Sequence, residues 1–366
     1  MKIIKSLFAV IPFLKLFTSS TTKLILTIFI LSVILNINSC NSVTEPEIQP
    51  GRRDYVWEVD TIKPGNESLY LRRIWGSSPN DIWAVGSSSW TATSIWHYNG
   101  KEWRCDSIPR KVVANGLFGV AQNDVWLGSC CGLNTIWRFN GNNWFQFAEL
   151  NPENGYNHIT LNCFDGLSAS NIYCVGFTEL YGQNKWKAMI MHFNGNNWRI
   201  VNIPEIRVGF ESFAVDEKSG DLVISGTDYD PKGFVSKVYF WDGRQLKELL
   251  SELGGWAFVT KLGNEIFVSY SAKIYKYDNK KLNLWKNNTG TLINGNIICG
   301  RNRNDFFIST YEGIAHYNGT NYYTLYTKTQ DNNVAIGIGT IFEKDVFFII
   351  NDFTLGKNLI LHGKLN

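Results

Sequence analysis

The side chains best suited to chemistry in this chain are acids and aromatics in two long segments between predicted strands. Asp228 and Asp230 lie within residues 227–236, and Glu179 lies within residues 177–188. Carboxylate pairs about 5 to 10 Å apart can serve as acid and base in glycan hydrolysis. Aromatic side chains on long loops suit stacking against sugars or protein partners. The candidate binding residues are Trp90, Tyr156, His158, Tyr181, Trp186, Asp228, Tyr229, Asp230 and Trp256.

Known catalytic motifs do not accompany these residues. The sequence contains no nucleophile elbow, phosphate-binding glycine loop or His-Glu-x-x-His motif. His97, His192 and His316 recur at one position of a repeat, which indicates packing, and His362 falls at a degraded turn. His158 lies in a connection without a His or Cys at metal-ligand spacing. We therefore expect no metal, no other cofactor and no catalytic residue set.

Six cysteines besides Cys40 lack zinc-site spacing. Alignment of the first two strands of each repeat places Cys163 opposite Cys174. A cell-envelope location permits disulfides, so a cross-strand disulfide and a pair of buried free thiols both stay open. The adjacent Cys130 and Cys131 are interpreted as small residues of a loop.

The elements that must position these residues come from a repeated phrase. Each copy is a small or polar residue, then an acid or amide, then alternating large apolar residues, and successive copies lie 40 to 50 residues apart. The residues that open the seven copies are Asp81, Asp124, Asn171, Asp221, Glu265, Asp305 and Asp345. This number and spacing predict an all-β, seven-bladed β-propeller. We expect the opening side chain to close its turn through local backbone bonds.

A second phrase follows most copies: an apolar strand, an Asn-Gly-like pair, and a large residue three positions later. Asn99-Gly100 with Trp103 is one example, and Asp278-Asn279 with Leu282 is a degraded one. Asn-Gly suits a two-residue type I′ hairpin. Each unit is therefore predicted to be a four-stranded antiparallel meander, with strands a to d.

The two ends of the chain carry complementary partial units. The seventh unit ends without a strand d, and residues 55–60 form an unassigned strand that resembles strand d of the first unit. We expect this N-terminal strand to complete the last blade, with residues 359–361 as its partner, which removes the open edges. The alternatives are a stack of unrelated hairpins or an open solenoid, and a solenoid would not leave such partial units.

Two stretches carry a family resemblance. Residues 74–86 read IWGSSPNDIWAVG and resemble a repeat of secreted bacterial β-propeller lipoproteins of unknown function. Residues 123–128 and 137–141, NDVWLG and WRFNG, resemble the two-component regulator propeller repeat. Such repeats occur in sensors, scaffolds and enzymes, so the resemblance implies architecture rather than activity. No kinase or response-regulator segment follows, and we expect no receptor role within this chain.

The N-terminal region has the pattern of a lipoprotein signal. Lys23 precedes an apolar run over residues 24–35, and Ile37-Asn38-Ser39 precedes Cys40 in the manner of a bacterial lipobox. This predicts a signal peptide over residues 1–39, a tether over 40–53 and the propeller over 54–366. Cys40 would carry membrane lipid on a periplasmic or cell-surface side of the envelope. An uncleaved membrane anchor is the alternative.

Charge excludes one class of partner. The formal net charge is +3, but four lysines lie before Cys40, and without them the chain is nearly neutral. We therefore expect no nucleic-acid partner. The leading hypothesis is a monomeric, non-catalytic envelope lipoprotein that binds an unidentified protein or glycan with its loop face. The alternative is an envelope glycan hydrolase or lyase on the same scaffold.

Overall fold

The computed structural model describes residues 50–366, except 66–67, 89–91, 107–111, 153–154, 231–232, 294 and 329–332. Residues 49–366 form one compact unit of seven four-stranded antiparallel sheets. The predicted all-β, seven-bladed propeller is confirmed. The predicted signal peptide, Cys40 and most of the tether lie outside the described residues. No helix in the described part of the chain is long and apolar enough to cross a membrane.

Each blade is a meander whose strands a to d follow one another in sequence, except in the last blade. Blade 1 contains β2 (Leu69–Ser78), β3 (Asp81–Ser88), β4 (Ile95–Tyr98) and β5 (Trp103–Cys105). Blade 2 contains β6 (Ala114–Ala121), β7 (Asp124–Ser129), β8 (Thr135–Phe139) and β9 (Trp144–Glu149). Blade 3 contains β10 (His158–Ser168), β11 (Asn171–Leu180), β12 (Lys185–Phe193) and β13 (Trp198–Ile200).

The remaining blades continue the pattern. Blade 4 contains β14 (Gly209–Val215), β15 (Leu222–Asp230), β16 (Gly233–Trp241) and β17 (Leu246–Leu253). Blade 5 contains β18 (Ala257–Leu262), β19 (Glu265–Tyr270), β20 (Lys273–Asp278) and β21 (Lys281–Asn287). Blade 6 contains β22 (Ile297–Asn302), β23 (Asp305–Ser309), β24 (Gly313–Tyr317) and β25 (Tyr322–Thr327). Blade 7 contains β26 (Val334–Ile341), β27 (Asp345–Asp352), β28 (Lys357–Leu365) and β1 (Tyr55–Ile62).

The N-terminal strand closes the ring as predicted. Strand β1 is the outer strand of blade 7 and pairs antiparallel with β28, with Val59 opposite Leu361 and Thr61 opposite Leu359. Blade 7 therefore has four strands although the C-terminal part of the chain supplies only three of them.

The hydrophobic core lies between blades rather than within them. Seven buried clusters each join two neighbouring blades. One of them packs Phe347 and Ile349 of blade 7 against Ile74 and Ile82 of blade 1. The apolar residues of the repeated phrase therefore hold the ring closed, since burial of such side chains is the main favourable term in folding.

The prediction that the residues opening the repeated phrase close their own turns is wrong, because their side chains pair with residues of strand c. Asp81, Asn171, Asp305 and Asp345 each accept or share a hydrogen bond with a strand-c histidine Nε2, at 2.6 to 2.8 Å. In blade 2 an arginine takes the place of the histidine. The turns are closed instead by nearby side chains such as Asn302, whose Oδ1 accepts from the Asn304 N–H at 2.8 Å.

The strand-c histidines are His97, His192, His316 and His362. His362 therefore does not lie at a degraded turn, but within β28 at the same repeat position as the other three.

The predicted two-residue turns are longer in most blades. Tyr98 pairs with Trp103, so four residues connect these strands. Asn99 Oδ1 accepts from the Lys101 and Glu102 N–H groups at 3.1 Å, and only Gly100 has a positive φ, 86°. The side chain of the Asn, rather than a left-handed Asn backbone, makes the turn. The degraded copy in blade 5 has the two-residue form, with positive φ at both central residues.

The propeller has two different ends. We call the end with the b–c hairpins and d–a connections the pocket face, and the end with the a–b and c–d turns the turn face. The described chain begins on the turn face, where the Gly51 N–H donates to the Asn304 carbonyl oxygen at 3.1 Å.

Candidate ligand-binding face

A cavity of about 880 Å³ opens on the pocket face at blades 1 to 5. Its walls come from the first residues of the inner strands and from the b–c connections of blades 2, 3 and 4. This volume falls within the range of about 300 to 1,000 Å³ that is usual for ligand sites.

The cavity floor is built from β-bulges. In blades 1 to 4 the pairing of strands a and b skips one residue near the start of strand a. The skipped residues are Arg72, Asn115, Asn162 and Glu211, and all four line the cavity. A bulge changes the direction of a side chain relative to the regular alternation along a strand. Here the bulges bring one polar group from each of four consecutive blades to the cavity floor.

These polar groups bond to one another across blade boundaries. Arg72 Nη1 donates to Asn115 Oδ1 at 3.0 Å, Asn115 Nδ2 donates to Asn162 Oδ1 at 2.5 Å, and Asn162 Nδ2 donates to the Phe210 carbonyl at 2.6 Å. Arg73 reaches further: its Nη2 donates to the carbonyl oxygens of Asn162 at 2.9 Å and Glu211 at 3.3 Å. Four blades are thereby linked through side chains at the floor.

Glu211 is the perturbed acid of the cavity. Burial raises the pKa of its carboxyl to about 7, and this effect outweighs the lowering caused by the Thr227 hydrogen bond and the Arg73 charge. The carboxyl therefore changes charge near neutral pH, as groups at functional sites often do.

The rim is aromatic and stands on extended hairpins. Strands β11–β12 and β15–β16 occupy most of the two segments predicted as long loops, which are therefore strands with short turns. The Trp186 and Tyr229 rings meet edge to face at 5.9 Å, and the Arg207 guanidinium lies 4.2 Å from the Trp186 ring centre. Tyr229 and Trp256 are 53% and 45% exposed. Hairpin backbone bonds thus hold exposed rings beside the cavity.

The structure brings some of the candidate residues together and separates others. Trp186, Tyr229 and Trp256 line the cavity, as does Glu179. Asp228 instead faces Lys237, with Oδ2 and Nζ 4.0 Å apart. Trp90 and the Asp230 side chain lie outside the described residues.

The three other candidates pack among themselves and their neighbours. Tyr156 is buried, with the Lys187 ammonium 4.9 Å from its ring centre. His158 stacks on Tyr181 at 4.9 Å, and its Nδ1 lies 3.6 Å from Glu179 Oε1. None of the three is part of the cavity lining.

Sequence reasoning missed the four bulge residues and Arg73. The sequence does indicate these residues, because they are polar residues between apolar residues of a predicted strand. Arg72 and Arg73, which lie between Leu71 and Ile74, are an example. A bulge cannot be read from alternation alone, because it is the place where alternation fails.

The same bulge corrects the predicted cysteine register. Cys163 pairs with Val175, and Cys174 pairs with Phe164, because the ladder skips a residue between Leu161 and Cys163. Both thiols are free in the structure. Burial raises the pKa of each thiol. Within the described ranges there is no group of three or more His, Cys, Asp or Glu residues that could hold a metal ion.

Comparison with known proteins gives similarity of fold. No protein-family profile and no curated protein sequence matches the chain. A solved structure described as YCF48 bound to D1 peptide superposes with a TM-score of 0.57 at 12% identity, covering 88% of this chain and all of that one. YCF48 from Cyanidioschyzon merolae superposes with a TM-score of 0.55 at 13% identity, covering 82% of this chain and 98% of that one. The resemblance to the two-component regulator repeat stays a prediction.

Proposed function

We propose that this chain is a non-catalytic binding propeller of the cell envelope that takes an extended protein segment in the cavity of its pocket face. The observation that carries the proposal is the floor of bulge residues Arg72, Asn115, Asn162 and Glu211 beneath an aromatic rim. Amides and guanidinium groups at the floor can pair with backbone N–H and C=O groups, which every peptide segment presents.

The rim supplies the apolar part of such binding. Trp186 and Tyr229 are held in place by a ring contact and by Arg207, whose Nη2 donates to the Tyr229 carbonyl at 3.0 Å. Rigid aromatic side chains lose little conformational entropy on binding and dominate many interfaces. A structural neighbour of the same fold is described as bound to a peptide, which favours a protein segment over a glycan.

The proposal includes a lipid anchor at Cys40. The described chain starts on the turn face, next to Gly51, and the cavity opens on the opposite, pocket face. Two or more acyl chains would make attachment stable, whereas one would be marginal. A Cys40→Ser variant should leave the membrane fraction after a salt wash, and continued sedimentation with membranes would contradict the anchor.

Binding can be tested with a phage-displayed random peptide library, selected against the full chain. We expect enrichment of a common peptide sequence, loss of its binding in Trp186→Ala and Tyr229→Ala, and retention in Tyr311→Ala. Tyr311 is a matched control because it is 69% exposed in the b–c turn of blade 6, outside the cavity lining.

The alternative, a glycan hydrolase or lyase, predicts a different outcome. It requires turnover of an envelope polysaccharide that is lost in Asp228→Asn or Asp230→Asn. Such turnover without peptide enrichment would overturn the binding function, and capture on a glycan array without peptide enrichment would replace the protein segment by a sugar chain.

A further inference from the structure

Two adjacent cysteines lie in the wall of the cavity. Cys130 and Cys131 follow β7 at the b–c turn of blade 2, and both line the cavity. The Leu133 N–H donates to the Cys130 carbonyl at 3.4 Å, which closes the turn. Cys131 has a φ of 63°, in the left-handed region that residues with a side chain rarely adopt. Such backbone conformations cluster at functional sites.

The two thiols have unequal surroundings. Cys130 is 6% exposed, whereas Cys131 is exposed to solvent. The Cys131 sulfur is therefore accessible to a reagent, and the buried Cys130 is its direct neighbour in the chain. A reactive cysteine beside a second, resolving cysteine is the arrangement found in redox-sensing sites.

Charged groups from neighbouring blades act on Cys131. Its pKa is lowered by the neighbouring Cys130 thiol and by the positive charge of Arg72, while burial and Glu179 oppose this. The pKa of Cys130 is raised by the neighbouring Cys131 thiol and by burial. The His158 ring lies next to Gly132 of the same turn.

We propose that Cys130 and Cys131 form a reversible vicinal disulfide, in which Cys131 is the attacking thiol and Cys130 the resolving one. The oxidant is a disulfide, either a small molecule or a thiol–disulfide oxidoreductase. The Cys131 thiolate attacks one sulfur of this disulfide, forms a mixed disulfide and releases one thiolate. Cys130, after losing its proton, attacks the Cys131 sulfur and releases the second thiolate. Two protein thiols are thereby oxidised by two electrons, and one external disulfide is reduced to two thiols.

The geometry makes this bond easy to reverse. Adjacent Cα atoms are about 3.8 Å apart, shorter than the roughly 4.4 to 6.8 Å usual for disulfides. A disulfide closed over so short a distance is strained, and strained disulfides have more oxidising potentials and are the labile ones. Closure also removes the thiolate charge beside Arg72 at the cavity wall.

Peptide mapping after treatment of the full chain with oxidised glutathione tests the pair directly. Trypsin cleaves after Lys111 and Arg138, and the peptide between contains only these two cysteines. We expect this peptide to lose two hydrogen atoms without retaining glutathione, and to regain them with dithiothreitol. A peptide unchanged in mass, or one that keeps glutathione in the wild-type chain, would overturn the proposal.

Single variants assign the two roles. Cys130→Ser should stop the reaction at the mixed disulfide and keep one glutathione on Cys131, whereas Cys131→Ser should react far more slowly. Equal glutathione incorporation in the two variants would contradict the assignment. Both substitutions keep the side-chain size, so circular dichroism should show an unchanged fold.

The pH dependence of alkylation separates this site from an ordinary exposed thiol. Iodoacetamide should modify Cys131 at a lower pH than an ordinary thiol, because the neighbouring Cys130 thiol and Arg72 lower its pKa, and Arg72→Gln should move the midpoint upward. Cys105, a cysteine of β5, controls for the variant, since its midpoint should not change with Arg72→Gln. A Cys131 midpoint that is the same in Arg72→Gln and in the wild type would contradict the proposed reactivity.

Discussion

At the scale of single residues, the acid on the cavity floor makes stability depend on pH. Glu211 has a folded-state pKa of about 7, raised above its usual value by burial. Between the unfolded and folded pKa values the folded chain holds a proton that the unfolded chain does not, so the contribution of Glu211 to stability falls as the pH rises through this window. The contribution is fully present below the unfolded pKa and lost above about 7.

The variant Glu211→Gln tests this directly. At about pH 3 it should match the wild type in the free energy of unfolding, because the Glu211 carboxyl is then protonated in both the folded and the unfolded chain. At pH 8 it should be more stable by about 1 to 2 kcal/mol, after allowance for the partial exposure of the side chain. Urea unfolding at the two pH values measures the difference, and an equal difference at both values would contradict the raised pKa.

The buried polar pair of Asp305 and His316 stabilises the fold. His316 is fully buried, its Nε2 lies 2.8 Å from Asp305 Oδ1, and Arg301 Nη1 donates to Asp305 Oδ2 at 3.0 Å. Arg53 Nε donates to His316 Nδ1 at 3.4 Å, so Nε2 carries the hydrogen and donates to Asp305. Loss of the acceptor leaves buried donors without a partner, which is costly.

Asp305→Ala should therefore lower the free energy of unfolding by about 2 to 4 kcal/mol. Asp305→Asn keeps the Oδ1 acceptor and should recover much of this loss. Glu102→Ala is the surface control: it removes the exposed pair with Arg104 and should have a far smaller effect. Chemical unfolding of the three variants checks the order, and equal losses in Asp305→Ala and Glu102→Ala would contradict it.

At the scale of elements, strand β1 is the closing part of the ring. It covers β28 along its length, from Tyr55 opposite Leu365 to Ile62 opposite Asn358. Gly363 is needed there, because a Cβ on it would clash with the Trp57 ring. Without β1 the nine residues of β28 would form an open edge, and open edges pair with other chains.

Deletion of residues 54–61 should make the protein lose stability and aggregate with increasing concentration. A synthetic peptide of residues 54–62 should restore a monomer in trans, and a scrambled peptide of the same composition should not. Size-exclusion chromatography with light scattering measures both effects. A deletion variant that stays monomeric at high concentration would contradict the closure role.

The elements also show how far the sequence predicts the structure. The repeats of the phrase around Asp81 predict the number of blades and the order of the strands, and the partial units at the two ends predict the closure of the ring. These predictions depend on the alternation of apolar residues that is typical of a strand. The predicted turn geometry was wrong: Asn99 bonds through its side chain in a four-residue connection, where Asn-Gly alone predicted a two-residue turn with a left-handed Asn backbone.

The candidate site was predicted less completely than the fold. The aromatic rim at Trp186, Tyr229 and Trp256 follows from the two long segments and the loop face. The floor at Arg72 and Glu211 does not, because bulges break the alternation on which strand prediction depends. The same shift moved Cys174 opposite Phe164 rather than Cys163.

At the scale of the whole molecule, the two faces of the propeller differ. The chain enters on the turn face, at Gly51, and the cavity opens on the pocket face among blades 1 to 5. Blades 6 and 7 contribute no residue to the lining of this cavity. A partner segment is therefore expected to lie over one side of the ring.

The most direct test of the binding function is photo-crosslinking in the host cell. A benzophenone amino acid placed at Tyr229 should form an adduct with a protein, identified by mass spectrometry, and the same group at Tyr311 should not. Both side chains are more than half exposed, but only Tyr229 lines the cavity. Adducts of equal yield at both positions, or an adduct at Tyr229 with polysaccharide alone, would contradict a pocket that binds a protein segment.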